Sequence, residues 1–283
     1  MNKLKYQIPI IGQIIKDRDI LLIERNNLLE IQNKTNIKKN PNFSKITKLY
    51  AQQITGVEKY LKGKKNIFDI GTGPIGSPWW QQIDHNATIT GIDFYFFPEH
   101  LPKNVTIYKY DASKLDQIHK NISLPKYITN NSFRSEKIDL SNKFDLVVAN
   151  HVLEHVENPT NLIKGATKLL KKNGIMYVGF PDYRNFTDIF YHLIHPNGGG
   201  HIQQLTNKSV EKMFTNNGFK LLECNIWPDD WLWFQSCYNP ASFGIEHINQ
   251  SQIDYLCNTF RKELTPNKGY FYGWEMIFKK TDD

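Results

Sequence analysis

The segment Asn66-Ile67-Phe68-Asp69-Ile70-Gly71-Thr72-Gly73-Pro74-Ile75-Gly76 constrains this chain more than any other. A short β-favouring run carries an acid near its end and then opens into a glycine turn. That is the arrangement of a strand whose C-terminal edge receives a nucleotide-like ligand. Glycine permits the tight turn and the close backbone approach that a Cβ would block. Taken literally the pattern is G-x-G-x-x-G, which suits a dinucleotide as well. Asp69 tilts the reading, because a carboxylate where such a strand carries an apolar side chain is costly to bury without a partner. A positively charged ligand is its natural partner.

From Asn66 onward, strand-like and helix-like segments alternate, which predicts a mostly parallel sheet covered by helices. Strands are predicted at 66–70, 88–93, 105–109, 144–149, 175–179, 219–226 and 272–280. Asn158 is expected to cap a helix with Pro159 in its first turn, running past Lys171 and Lys172 to stop at Gly174. A second helix is expected from about Asn207 to Asn217, ending at Gly218. The polar stretch 117–143 reads as a surface insertion. Segments 183–205 and 227–271 lie beyond strand ends, where an open α/β sheet keeps its ligands. Upstream, residues 8–33 carry an apolar helical stripe suited to docking or to forming a homodimer, and residues 44–62 a second one. The chain thus divides into an N-terminal helical extension over 1–43 and a main domain over 44–283.

Composition narrows the function classes. No apolar run among the 283 residues approaches the roughly 20 needed to cross a bilayer. Cys224, Cys237 and Cys257 have no metal-binding spacing and suit a reducing compartment, so a cytoplasmic protein is expected. The formal net charge of +7 would admit a polyanionic partner. The lysines are scattered, however, which disfavours nucleic acid, and an acidic small molecule is at least as consistent.

Four predicted strand ends carry related chemistry. Asp69, Gly71 and Gly73 close the first. Asp93 closes the second in Gly91-Ile92-Asp93-Phe94, where an acid can accept both hydroxyl protons of a ribose. Asp111 follows the third in Tyr110-Asp111-Ala112, placed to accept from an exocyclic amine. The fourth runs from Phe144 through Asn150 into His151-Val152-Leu153-Glu154-His155. Each acid alone could be a helix cap; together and in this order they are hard to explain that way.

With these pieces in place, the chain resembles the class I S-adenosylmethionine-dependent methyltransferases over roughly Ser44 to Ile226 and again near Trp274 to Lys280. The run from Gly200-His201 to Thr206 and the helix before Gly218-Phe219 look like the branch acting on small molecules and sugars. The resemblance implies a Rossmann-like seven-stranded mixed sheet of order 3-2-1-4-5-7-6, strand 7 antiparallel, with helices on both faces. It implies S-adenosyl-L-methionine as cofactor and S-adenosyl-L-homocysteine as product. The methionine part would lie against Asp69, Gly71 and Gly73, the ribose on Asp93, and the adenine edge on Asp111 and Ala112. Phe94 would pack on the adenine face or, equally, in the core, and Asn150 would hold cofactor or substrate. The departure from the family is Ile75, where a third glycine is common.

Methyl transfer requires alignment, exclusion of water and, for a hydroxyl acceptor, removal of a proton. Histidine suits that task near neutral pH. His151 is the first candidate base, followed by His201, His195 and His192, and Asp182 and Tyr183 are candidates for orienting the acceptor. His151-x-x-Glu154-His155 also matches an inverted zinc-peptidase pattern, but with no third ligand identifiable in sequence no metal is expected. The function expected is methyl transfer to oxygen, less readily nitrogen, of a small polar or anionic acceptor such as a sugar or a surface-polysaccharide precursor. The alternatives are an RNA methyltransferase, a non-catalytic cofactor-binding interaction protein and, more distantly, an NAD-dependent oxidoreductase.

Overall fold

The computed structural model describes residues 59–60, 63–73, 86–95, 97, 101–118, 120–129, 132–185, 188–189, 192, 200–227, 251–252, 255, 259 and 273–281. The N-terminal extension, His195, Ile75 and the aromatic run near Trp231 lie outside these residues. The strands are β1 (Asn66–Ile70), β2 (Thr88–Asp93), β3 (Val105–Lys109), β4 (Ile122–Thr129), β5 (Ser132–Ile138), β6 (Phe144–Asn150), β7 (Leu170–Pro181), β8 (Phe219–Trp227) and β9 (Gly273–Lys280). They form one sheet in the order β5-β4-β3-β2-β1-β6-β7-β9-β8. With β4 and β5 set aside, this is the predicted 3-2-1-4-5-7-6 order, and β9 is antiparallel to both neighbours.

The sheet therefore has nine strands rather than seven. The stretch 117–143 is not merely a surface insertion: its centre is the β4–β5 hairpin, antiparallel throughout and joined to β3 at Tyr108 and Lys126. Tyr127 stacks on Phe97 at 5.2 Å, and Phe133 meets Phe97 edge-on at 4.9 Å. The hairpin covers β3, which would otherwise present an unpaired edge.

Alternation along the strands divides the core between two faces. Phe68, Ile70, Val147 and Met276 point to the face covered by α1 (Pro159–Leu169) and α2 (Asn207–Thr215), where Leu162, Ile163, Ala166 and Phe214 meet them. Ile67, Ile89, Ile107, Leu146 and Val148 point to the other face, with Tyr60 of the helical pair 59–60 against them. Burying each such side chain contributes roughly 1.5–3 kcal/mol.

Two helix ends differ from the sequence expectation. Asn158 stands at the N-cap of α1, but its side chain makes no capping hydrogen bond; Pro159 supplies the start instead. The helix stops at Leu169, because Leu170 already pairs with Phe144 of β6. The chain then turns through Asn173 at φ 60° before Gly174. In α2, Thr206 accepts from the Ser209 backbone and the Ser209 hydroxyl returns to Thr206, a complete capping box.

Parallel register sets up the site. Ile70 pairs with Ile92 on one side and Ala149 on the other, so Gly71 emerges between Asp93 and Asn150. Strand order reverses between β1 and β6, and such a switch point opens a crevice at the carboxyl ends of an α/β sheet.

Candidate functional site

Asp69 is 1% exposed at the end of β1. Beyond it, Gly71 and Gly73 take φ of 73° and 68°, a region that costs other residues roughly 1–2 kcal/mol. Gly71 is also needed for space, since a Cβ there would sit 2.5 Å from Val152 Cγ2 on the turn after β6. At Gly73 no described residue lies within 4 Å of the corresponding position. Asp93 pins this turn: Oδ2 accepts from the Gly73 N–H at 2.9 Å and Oδ1 from the Tyr95 N–H at 2.9 Å. Carboxylate oxygens have capacity for further donors. Between the glycines, buried Thr72 has a hydroxyl with no hydrogen-bond partner.

The other cofactor candidates differ from one another. Asp111 is a cap: its Oδ1 accepts from the Ser113 N–H at 2.9 Å and the Ser113 hydroxyl at 2.7 Å, opening the 3₁₀ turn Ala112–Gln117. Ala112 begins that turn and packs against the core. Phe94 is 44% exposed, which removes the core-packing alternative. Its ring meets Tyr95 edge-on and lies 5.6 Å from Lys109 Nζ. Asn150 ends β6 beside Gly179 of β7, where a Cβ would stand 2.1 Å from Asn150 Oδ1.

Past β6 the chain makes a second tight turn. His151 takes φ 56° without being glycine, and its N–H is held by the Gly179 carbonyl at 2.8 Å. Unusual dihedrals of this kind persist only where surrounding structure enforces them, and they concentrate at functional sites. The His151 ring lies with Nδ1 3.2 Å from Glu154 Oε1. Glu154 is 1% exposed, within the 3₁₀ turn Leu153–His155. Burial opposes its ionisation, yet the His151 hydrogen bond and the surrounding imidazoles prevail and hold its carboxyl at about 2. Partial desolvation of its ring lowers the pKa of His155 and outweighs the pull of Glu154.

Residues 200–205 are stapled onto this turn. The Ile202 and Gln203 N–H groups donate to the Glu154 carbonyl at 2.8 and 3.2 Å, and the Gln203 amide reaches the Val156 and Glu157 carbonyls. The staple brings His201 to His155, with ring centroids 4.8 Å apart. His201 Nδ1 lies 2.9 Å from Asp188 Oδ1, and His192 Nε2 lies 3.3 Å from Asp188 Oδ2. His151 and His201 thus share one cluster with Glu154 and His155. Asp188 was absent from the sequence-derived set, although its spacing four residues before His192 was a usable signal.

Asp182 is not placed to orient an acceptor. Arg184 donates to both of its oxygens, at 2.9 and 2.6 Å, and Trp274 Nε1 donates at 2.6 Å. Burial raises its pKa, but these donors prevail and the carboxyl stays below its ordinary value. It fastens the end of β7 to β9.

Known proteins share this fold and part of this sequence. A family model described as a methyltransferase domain matches residues 43–224. A ubiquinone biosynthesis O-methyltransferase of Pasteurella multocida is 28% identical over 127 residues, 45% of this chain and 48% of that protein. One from Pelagibacter ubique is 30% identical over 129 residues, 44% of this chain and 45% of its own length. The chain therefore spans about half the length of the curated relatives it matches. Among solved structures, a SAM-dependent methyltransferase from Archaeoglobus fulgidus aligns with TM-score 0.53 at 14% identity, over 83% of this chain and 94% of that one. A Haemonchus contortus phosphoethanolamine N-methyltransferase, solved with S-adenosylhomocysteine, aligns with TM-score 0.51 at 14% identity, over 82% and 53%. At these identities the structural likeness shows the fold.

Proposed function

The chain belongs to the S-adenosylmethionine-dependent methyltransferases, and on that premise we propose that it methylates an oxygen of a small polar acceptor held beside His151. The observation that carries this reading is the joining of two half-sites at one sheet edge. The carboxylates and glycine turn of β1–β2 lie next to the histidine cluster after β6.

The residues present fit the cofactor. Thr72 offers a buried hydroxyl without a partner, Gly73 a backbone uncrowded by any described residue, and Asp69 and Asp93 negative charge. Bound S-adenosylmethionine supplies an electrophilic methyl group on a cationic sulfur. In this reading Asp69, Gly71 and Gly73 hold the methionine part, Asp93 accepts from the ribose hydroxyls, and Phe94 covers the adenine. Asp111 and Ala112 face the adenine edge, with Asp111 Oδ1 already engaged as a cap. Asn150 stands between the two halves.

On the acceptor side, His151 takes the hydroxyl proton. Glu154 orients its ring, and ionised Glu154 favours the imidazolium that forms, as a buried carboxylate does for a base. Its left-handed backbone turns the residue out of the strand path. The curated relatives are named O-methyltransferases, which supports oxygen over nitrogen. Their names point to ubiquinone biosynthesis and add no support for a sugar or polysaccharide precursor. Among the described residues, no helix is long and apolar enough to cross a membrane.

Calorimetry with S-adenosylhomocysteine tests the cofactor half. Wild type should bind, and Asp69→Ala or Asp93→Ala should weaken binding by about 100-fold, as loss of a buried charged acceptor costs ~1.5–3 kcal/mol. A wild-type protein that does not bind would refute the assignment. Release of S-adenosylhomocysteine in the presence of hydroxyl or amine acceptors tests the choice of oxygen.

A further inference from the structure

We propose that Glu154, His155 and His201 form a binding site for one divalent transition-metal ion at the acceptor end of the crevice. One donor atom from each lies within 4.8 Å of the other two. Around a single ion with bonds near 2.1 Å, donors stand about 3.0–3.5 Å apart. Small side-chain rotations suffice to close that gap. Two imidazoles and one carboxylate, with positions left open, are a donor set that zinc, iron(II) and related ions accept.

The hydrogen bonds around the two rings give both the tautomer a ligand needs. His155 Nδ1 lies 3.0 Å from the Gly200 carbonyl oxygen, which can only accept, so Nδ1 carries the proton and Nε2 the lone pair. His201 Nδ1 lies 2.9 Å from the Asp188 carboxylate and is fixed in the same sense. Histidines that ligate metals almost always donate their other N–H to a carboxylate or a backbone carbonyl. Both versions occur here.

Glu154 supplies an independent indication. Its Oε1 is engaged by His151, whereas Oε2 is buried with no hydrogen-bond partner. An unsatisfied buried acceptor costs roughly 1–3 kcal/mol or more when charged, and an ion would remove that cost. Asp188, His192 and His201 also converge within the same limit. There, however, the two Asp188 oxygens already meet His201 Nδ1 and His192 Nε2, at 2.9 and 3.3 Å. Asp188 is thus the positioning residue of the first set rather than a ligand of a second. The site takes only Glu154 and His155 from the His151-x-x-Glu154-His155 run and replaces His151 as a ligand with His201, delivered by the 200–205 staple.

If methyl transfer is the activity, the open positions of the ion would hold the acceptor oxygen beside His151; this role rests on that reading, while the site itself does not. The test is calorimetric titration of chelator-treated full-length protein with zinc chloride and, separately, manganese chloride. S-adenosylhomocysteine titrations on the same preparations serve as the control for folding and for the cofactor site. Wild type should bind one ion per chain. His155→Ala and His201→Ala should abolish binding, Glu154→Gln should weaken it severely with little change of volume, and Asp188→Asn should weaken it about 10–100-fold. His192→Ala should bind as wild type. Wild type that binds S-adenosylhomocysteine but neither metal overturns the metal site alone; metal binding without S-adenosylhomocysteine binding overturns only the methyl-transfer reading. Undiminished binding in His155→Ala and His201→Ala, or loss in His192→Ala as complete as in His201→Ala, overturns this ligand set.

Discussion

The two halves of the crevice are built differently. The cofactor half consists of the ends of adjacent parallel strands, and each group belongs to its strand's end: Asp69 next to last in β1 with Gly71 directly after the strand, and Asp93 as the last residue of β2. Its geometry comes from register and from backbone hydrogen bonds to one carboxylate. The acceptor half is assembled from the turn after β6, from Asp188 and His192, and from the distant segment 200–205, joined by backbone staples and side-chain pairs. One half is therefore positioned by the sheet itself, and the other by tertiary contacts that a single substitution can loosen. Substitutions confined to one half should leave the other functioning.

The largest effect expected under that division is His151→Ala. Loss of a general base reduces turnover about 10²–10⁴-fold, while affinity for S-adenosylhomocysteine should stay at the wild-type value. Steady-state kinetics alongside calorimetry separates the two. Retained turnover would move the base to the His192–His201 segment, and a parallel fall in cofactor affinity would break the division.

The same contrast explains what the sequence made legible. Asp69, Gly71, Gly73 and Asp93 could be recognised because strand, acid and glycine turn are contiguous, and parallel strands bring such ends together without further information. The seven-strand order was legible through the same alternation. The β4–β5 hairpin was not, since burial alternates weakly along Ile122–Thr129 and Pro125 interrupts the strand pattern. The histidine cluster was legible only as the local run His151-x-x-Glu154-His155 and as separate histidines further along. His155 and Gly200 are 45 positions apart, and no local periodicity reports that contact. Asp182 misled for a related reason: the strand-end rule placed it in the crevice, but Arg184 and Trp274 consume its oxygens.

Gly71→Ala probes the point where the halves touch. The new methyl group would meet Val152 at 2.5 Å and be forced to φ 73°. Overpacking costs roughly 1–3 kcal/mol and the left-handed backbone another 1–2, so a loss of about 2–5 kcal/mol is expected in denaturant unfolding. Adding Val152→Ala should recover the overpacking share and leave the backbone share. Full recovery would mean that the glycine is required only for space; no recovery would mean that the two turns are not in contact.

A smaller effect is expected behind the acceptor half, at Glu275. It is buried on β9 opposite Gly179, and the Tyr177 hydroxyl donates to it at 3.2 Å. Burial raises its pKa from 4.5 to about 7 against the opposing effect of Tyr177. Between those values the folded protein holds a proton that the unfolded chain has released. Stability therefore falls as pH rises from 4.5 to about 7 and is level above that. One pKa unit corresponds to ~1.4 kcal/mol, so the whole loss is about 3.5 kcal/mol. Glu275→Gln keeps the shape and the hydrogen-bonding capacity without the charge. Urea unfolding should show the variant matching wild type near pH 4 and exceeding it by about 3.5 kcal/mol near pH 8. An equal gain at both pH values would indicate a packing effect and refute the assignment. If the stabilised variant also loses turnover while S-adenosylhomocysteine affinity is unchanged, Glu275 belongs with the acceptor half.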